Sequence, residues 1–158
     1  MRVFLSYDSR DEKFAEDLRQ ELDKLGMKVW NPADELYPGD NWLLETGKAL
    51  KRADAVVFLL SPAYSRSKWT RFELQYVLTQ KRLAFRVVPV VLGKHARIPW
   101  SMRAFSIRPE KQDAAEVAKT IAARLKKPRR AWMNELRPRV NAPTANSTRR
   151  TARVARTR

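Results

Sequence analysis

The sequence predicts an α/β protein with an open, mostly parallel sheet of five strands and helices on both of its faces. Short β-type runs alternate with helical periodicities along the first 125 residues, which is the pattern of consecutive strand–helix–strand units. The central run, 55–60, contains only apolar residues, as expected for a strand that helices cover on both sides. A chain of 158 residues is long enough for one such domain.

The strands are predicted, in chain order, at 2–7, 27–30, 55–60, 86–92 and 104–107. Pro89 interrupts the backbone donors of the fourth run, and this places that strand close to an edge of the sheet.

The helices are predicted from the spacing of apolar side chains and from their end signals. The first lies between Ser9, which stands three residues before Glu12 as in a capping box, and Gly26, a typical residue after a helix. The others are expected at about 42–52, from Ser65 or Ser67 to Gln80, and at 113–125. Since ligands of such sheets bind at the carboxyl ends of the strands, the loops 6–8, 31–41 and 61–69 are the places to expect a site.

Several classes of protein are excluded by what the sequence lacks. There is no cysteine and only one histidine, which excludes a disulfide scaffold, a thiolate metal site and a His-rich metal site. The four glycines form neither a dinucleotide-cofactor turn nor a phosphate-binding Walker loop, and a GxSxG elbow is absent. The longest apolar run has six residues, too short to cross a bilayer, and early charges argue against a signal peptide. We therefore expect a cytoplasmic protein.

The net charge of +16 is unevenly distributed. Residues 126–158 contain eleven basic residues and one acid, whereas residues 1–125 contain 22 basic and 16 acidic ones. The last 33 residues have few large apolar side chains, so we expect a basic tail of low order after a domain that ends at 125. Such a tail is expected either to bind polyanions weakly and in a salt-dependent way or to be a solvated appendage.

Glu73 lies in an unusual apolar setting for a carboxylate. In a helix it shares a face with Trp69, Tyr76 and Val77, and burial among these side chains would raise its pKa. A carboxyl group of this kind can serve in glycosyl chemistry. The spacing alone equally allows Glu73 to point sideways and pair with Arg66 or Lys81.

The order of several short motifs resembles that of bacterial Toll/interleukin-1 receptor (TIR) domains over roughly residues 1–125. The motifs are Val3-Phe4-Leu5-Ser6-Tyr7, Val29-Trp30, Glu35-Leu36, Pro38-Gly39-Asp40, Val57-Phe58-Leu59-Leu60-Ser61-Pro62 and Trp69-x-x-x-Glu73-Leu74. The resemblance implies a flavodoxin-like sheet of order 2-1-3-4-5. For many bacterial members it also implies an enzyme that cleaves NAD+, with no cofactor and no metal.

The resemblance assigns Glu73 as the catalytic residue, which attacks or electrostatically supports the ribosyl carbon as nicotinamide leaves. Products in the family are ADP-ribose or cyclic isomers of it. The substrate-binding positions that the resemblance implies are Ser6, Tyr7, Asp8, Asp34, Trp42 and Trp69.

Some of these assignments leave more than one role open for a residue. The resemblance implies that the loop 31–41, which follows the second strand, closes over the ligand and mediates packing between subunits. Trp42 either offers an aromatic face to a base or makes an ordinary contact at a helix start, and Trp69 braces Glu73. Pro32 occupies the position where many members have an aspartate, so either Asp34 replaces it or the contact is missing.

Three functions therefore follow as hypotheses. The first is an NAD+ glycohydrolase or cyclase, acting as an effector of anti-phage defence or related signalling, with homotypic TIR assembly and an activator or partner protein. The second is a non-catalytic adaptor that binds other TIR domains. The third is a nucleoside glycosyl transferase of related fold.

Overall fold

The computed structural model describes residues 1–30, 41–66, 76–77, 79–83, 86–128 and 131, with residues 42 and 43 described by their backbone alone. All statements on structure below refer to these residues.

Four parallel strands form the sheet: β1 (Arg2–Ser6), β2 (Lys28–Trp30), β3 (Ala55–Leu60) and β4 (Val87–Val91). Their order across the sheet is β2-β1-β3-β4. In register, Phe4 stands opposite Trp30 on one side and opposite Val56 on the other. The predicted parallel α/β class and the order of these four strands are confirmed.

The fifth strand predicted at 104–107 is reduced to a single bridge. Residues Trp100–Phe105 form a 3-10 helix, which buries Met102 and brings Phe105, one turn later, against the core. Ile107 alone pairs with β4: its N–H donates to the Pro89 carbonyl and its carbonyl accepts from the Val91 N–H, both at 2.8 Å. The missing N–H of Pro89 therefore faces the outer side of β4, as the predicted edge position requires.

Three α-helices flank the sheet: α1 (Glu12–Lys24), α2 (Trp42–Arg52) and α3 (Ala114–Lys126). Residues 76, 77 and 79 are helical as well. Asn41 caps α2 by accepting from the Leu44 N–H, and Asp113 caps α3. These bounds agree with the predicted ones to within two residues.

Both ends of the first helical segment have a clear physical cause. Gly26 adopts φ +77°, and the N–H groups of Gly26 and Met27 bond to the carbonyls of Asp23 and Leu22. This pair of bonds is a Schellman motif, which favours glycine at that position. At the other end the cap is Asp8, not the predicted Ser9, because the Asp8 side chain accepts from the Arg10 N–H ahead of the short 3-10 helix Ser9–Asp11.

Side chains alternate between two cores on the two faces of the sheet. Residues 57 and 59 of β3 point into a core with α1 and α3, while residues 56, 58 and 60 point into a core with Leu50 of α2 and with Val77. All six side chains of β3 are therefore buried. No helix among the described residues has the length and apolar character needed to span a bilayer.

Candidate functional site

The carboxyl ends of β1 and β3 lie side by side, since these strands are neighbours and Ser6 stands opposite Phe58. The chain after β1 contains Tyr7 and Asp8, and the chain after β3 runs into the 3-10 helix Tyr64–Arg66. This is the edge at which ligands of open parallel sheets bind. It brings together three residues predicted to bind substrate, Ser6, Tyr7 and Asp8.

Ser6 is almost completely buried, and its hydroxyl lies 3.3 Å from the hydroxyl of Tyr64. Tyr64 is buried too, and its ring packs edge-on against Phe58 with the centroids 6.2 Å apart. Ser6 and Tyr64 thus form a hydrogen-bonded floor between the two strand ends. Tyr7, which follows Ser6, is partly buried and packs against the core on the α1 side.

Asp8 is 9% exposed and is held by Arg10. The guanidinium donates from Nε to Oδ1 at 2.7 Å and from a terminal nitrogen to Oδ2 at 3.1 Å. These bonds from Arg10 lower the pKa of Asp8, although partial burial acts in the opposite direction. Asp8 is consequently an ionised group whose charge is matched by its neighbour.

A second carboxylate lies close by in a different environment. Oδ2 of Asp11 accepts a hydrogen bond of 2.5 Å from the hydroxyl of Ser61, the first residue after β3. The same hydroxyl accepts the N–H of Tyr64 at 2.9 Å. Partial burial raises the pKa of Asp11, and the negative charge of Asp8 adds to this effect. Two aspartates three residues apart therefore have pKa values shifted in opposite directions.

Neither the ion pair of Arg10 with Asp8 nor the network of Asp11, Ser61 and Tyr64 was predicted from the sequence. One signal was available for half of it: a serine directly after a buried strand commonly caps the turn that follows, as Ser61 does for Tyr64. The pairing of Asp11 with Ser61 joins residues 50 positions apart, and no local pattern indicates it.

The structure does not describe the side chains of the remaining predicted site residues. Asp34, Trp69 and Glu73 lie outside the described residues, and Trp42 is described as the first residue of α2 without its side chain. The nearest described residues before and after Glu73 do have defined places in the fold. Arg66 lies at the carboxyl edge beside the end of β3.

After Glu73 in the sequence, the Arg82 guanidinium donates to the carbonyls of Leu50, Lys51 and Ala53, where α2 ends and β3 is about to begin. Val77 is fully buried in the core that contains Tyr64. In the sequence, Glu73 thus lies between Arg66, which follows β3 at the carboxyl edge, and Val77, which is buried in the core on the α2 side.

This arrangement resembles known proteins in both sequence and fold. A family profile described as "TIR domain" matches residues 3–108. The TIR domain of the Toll-related receptor TRR-2 from Hydra magnipapillata superimposes with a TM-score of 0.64 at 17% identity, covering 77% of this chain and 94% of that one.

Two curated relatives carry names that describe an activity. A "probable 2' cyclic ADP-D-ribose synthase TcpO" from Methanobrevibacter olleyae is 27% identical over 90 residues, which are 56% of this chain and 26% of that protein. The "NAD(+) hydrolase TcpC" from Escherichia coli O6:H1 is 28% identical over 78 residues, 49% of this chain and 25% of that protein. The chain thus spans about a quarter of the length of either relative.

The family profile covers well over half of the chain, from the first strand to the bridge at Ile107. The match includes β1, β3 and the edge where Ser6, Asp8, Ser61 and Tyr64 meet. The chain belongs to the TIR domain family.

Proposed function

We propose that this protein cleaves the bond between nicotinamide and ribose in NAD+, with Glu73 as the catalytic carboxylate. The observation that carries the proposal is the place of Glu73 in the sequence of a TIR domain. Arg66, which precedes it, lies at the carboxyl edge of the sheet, and Val77, which follows it, is buried in the core. Val77 follows Glu73 by four residues, which is about one helical turn.

The two named relatives support the reaction at the level of its first step. A cyclic ADP-ribose synthase and an NAD+ hydrolase form different products, but both begin with the loss of nicotinamide. The bond between C1′ of ribose and the nicotinamide nitrogen breaks, and its electron pair stays with nicotinamide. The Glu73 carboxylate stabilises the positive charge that develops on the ribosyl carbon or bonds to it.

The second step decides the product. Attack of water on C1′, with loss of one proton, yields ADP-ribose. Attack of a hydroxyl group of the same ADP-ribosyl unit, again with loss of one proton, yields a cyclic isomer. The proposal covers both products, since both form from the same ribosyl intermediate.

The described residues at the edge take supporting roles in this proposal. Ser6 and Tyr64 hold the ends of β1 and β3 together, and Asp8 is neutralised by Arg10, so a diphosphate would meet little repulsion there. The excess of basic over acidic residues in 1–125 acts in the same direction. Tyr7, Asp34, Trp42 and Trp69 are proposed as contacts of the substrate.

For the biological role, we propose that the protein is an effector in anti-phage defence or related signalling, and that its TIR domains assemble. Enzymes that need assembly lose activity on dilution more steeply than in proportion to their concentration. The test follows nicotinamide release from NAD+ over a hundredfold range of protein concentration. We expect release, with a specific activity that rises with concentration. If NAD+ stays intact at the highest concentration while the protein captures another TIR domain, it is an adaptor and the proposal is wrong.

A further inference from the structure

A second feature of the carboxyl edge is an open cavity of about 800 Å³ on the β4 side of Tyr64. Ile98 and Pro99 form an apolar part of its wall, and Arg97, Arg103 and Arg108 form a basic part. A cavity of this size accepts a ligand as large as a nucleotide.

The described residues that line the cavity include three arginines and no carboxylate, and Glu110, two residues after Arg108, is an acid nearby in the sequence. Residues 93–109 contain four lysine and arginine residues and no aspartate or glutamate. In the ion pairs found among the described residues, the carboxylates all come from positions 8 to 54 of the sequence, outside this basic region. Arg103 is fixed through a bond from Nε to the Ile98 carbonyl at 3.3 Å, which leaves its charge available to a ligand.

Trp100 follows the cavity wall directly and is 85% exposed, more than the other large hydrophobic side chains that the structure describes. The 3-10 helix that begins with Trp100 is anchored by Met102, which is fully buried. The fold therefore makes almost no use of the indole ring. A large aromatic face held in solvent next to arginines is an arrangement on which a base can stack.

The loop that carries these groups is tied to the end of β3. The Arg97 N–H donates a hydrogen bond of 3.0 Å to the hydroxyl of Ser65. This hydroxyl in turn donates a hydrogen bond of 2.9 Å to the Ser61 carbonyl. The backbone at Arg97 is thus held in place before any ligand arrives, which lowers the entropic cost of binding.

We propose that Arg97, Trp100, Arg103 and Arg108, the arginine–tryptophan patch, bind single-stranded nucleic acid. The guanidinium groups contact phosphates and the indole of Trp100 stacks on an unpaired base. An acidic peptide would satisfy the arginines but not the aromatic face, and a duplex keeps its bases stacked on one another. The proposal is independent of NAD+ cleavage.

The experiment measures binding of a fluorescently labelled single-stranded 20-mer, as RNA and as DNA, to the full chain by anisotropy over a series of salt concentrations. Trp100→Ala is expected to weaken binding roughly 5- to 100-fold, the effect of losing one stacked base. Trp100→Phe is expected to restore much of the loss. The triple variant Arg97→Ala, Arg103→Ala, Arg108→Ala should lower the slope of log K against log salt by about 2, as for three phosphate contacts with a single strand.

The matched control removes the same charge from exposed positions elsewhere: Lys13→Ala, Lys51→Ala, Lys119→Ala. It has the same net charge as the arginine variant and retains the tail, so any contribution of residues 126–158 is common to both. We expect the lysine variant to bind more tightly than the arginine variant and to keep its dependence on Trp100.

Three results would overturn the proposal. One is equal binding of the oligonucleotide by wild type and Trp100→Ala, with base-free polyphosphate or polyglutamate competing as well as the oligonucleotide does. Another is displacement of the oligonucleotide by NAD+ together with slower nicotinamide release in the patch variants, which would place the patch in the substrate site. The third is the absence of binding at low salt. Nicotinamide release unchanged in the patch variants is the expected result.

Discussion

Ser61 donates a hydrogen bond of 2.5 Å to Asp11, and this contact joins the loop after β3 to the N-terminus of α1. Because the same hydroxyl accepts the Tyr64 N–H, one side chain fixes three segments at the carboxyl edge. The contact between Ser6 and Tyr64 depends on this arrangement.

Ser61→Ala is expected to lower the free energy of unfolding by about 1–3 kcal/mol, since it leaves a partly buried carboxylate and a buried N–H without their partner. Urea unfolding at pH 7 measures the difference. Ser106→Ala is the control: Ser106 bonds to a carbonyl at 3.3 Å in an exposed place, and its loss should change stability by less than about 0.5 kcal/mol. Equal effects of the two substitutions would show that the Ser61 network contributes nothing particular.

Asp11→Asn is expected to gain stability relative to wild type as the pH rises. The pKa of Asp11 is raised in the folded state, so the folded protein binds the proton more tightly than the unfolded chain does. Wild type therefore loses stability as the pH rises from 3.8 through the raised pKa, whereas asparagine does not titrate. Urea unfolding at several pH values between 3 and 7 tests this, and a difference that is constant over the range would contradict it.

Asp8→Asn is expected to show the opposite sign. The Arg10 guanidinium lowers the pKa of Asp8, so its contribution to stability is present above 3.8 and disappears as the pH falls through the lowered value. Asparagine retains the capping oxygen but lacks the charge. Since Arg10 is largely exposed, we expect a loss of about 0.5–1 kcal/mol at pH 7. The loss should fade toward pH 3, and one that grows on acidification would refute the assignment.

The contact of Ser6 with Tyr64 is tested by a double-mutant cycle of Ser6→Ala and Tyr64→Phe. Both side chains are buried, so we expect a coupling energy of about 0.5–1.5 kcal/mol in the free energy of unfolding. Tyr64→Ala should cost more, about 3–5 kcal/mol, because it also removes the ring from Phe58. Additive effects of the two conservative substitutions would mean that the hydroxyl groups do not interact.

The sequence was sufficient where one physical signal dominated. The apolar run 55–60 has the bounds of β3, since burial on both faces admits no polar residue. Asp8 and Ser9 are both good caps, and the sequence alone does not decide between them; Arg10 does, by holding the Asp8 carboxylate in place.

Features that depend on contacts between distant parts of the chain could not be predicted from the sequence. Apolar residues at 104–107 fit a strand, but the spacing of Met102 and Phe105 also fits a 3-10 turn. Burial of Met102 and packing of the partly buried Phe105 against the core select the turn. For the candidate site, the sequence located the edge through residues 6–8 and 61–69. The pairing of Asp11 with Ser61 depends on how α1 packs on the sheet, which no local pattern encodes.

The most direct test of the central claim compares NAD+ incubations of wild type and Glu73→Gln, with nicotinamide and ADP-ribose products quantified at the same high protein concentration. Glu116→Gln, an exposed carboxylate on α3, is the matched control. We predict nicotinamide release by wild type and by Glu116→Gln, and a rate at least about 100-fold lower for Glu73→Gln with its circular dichroism unchanged. Nicotinamide release by Glu73→Gln at the wild-type rate would contradict the assignment of Glu73.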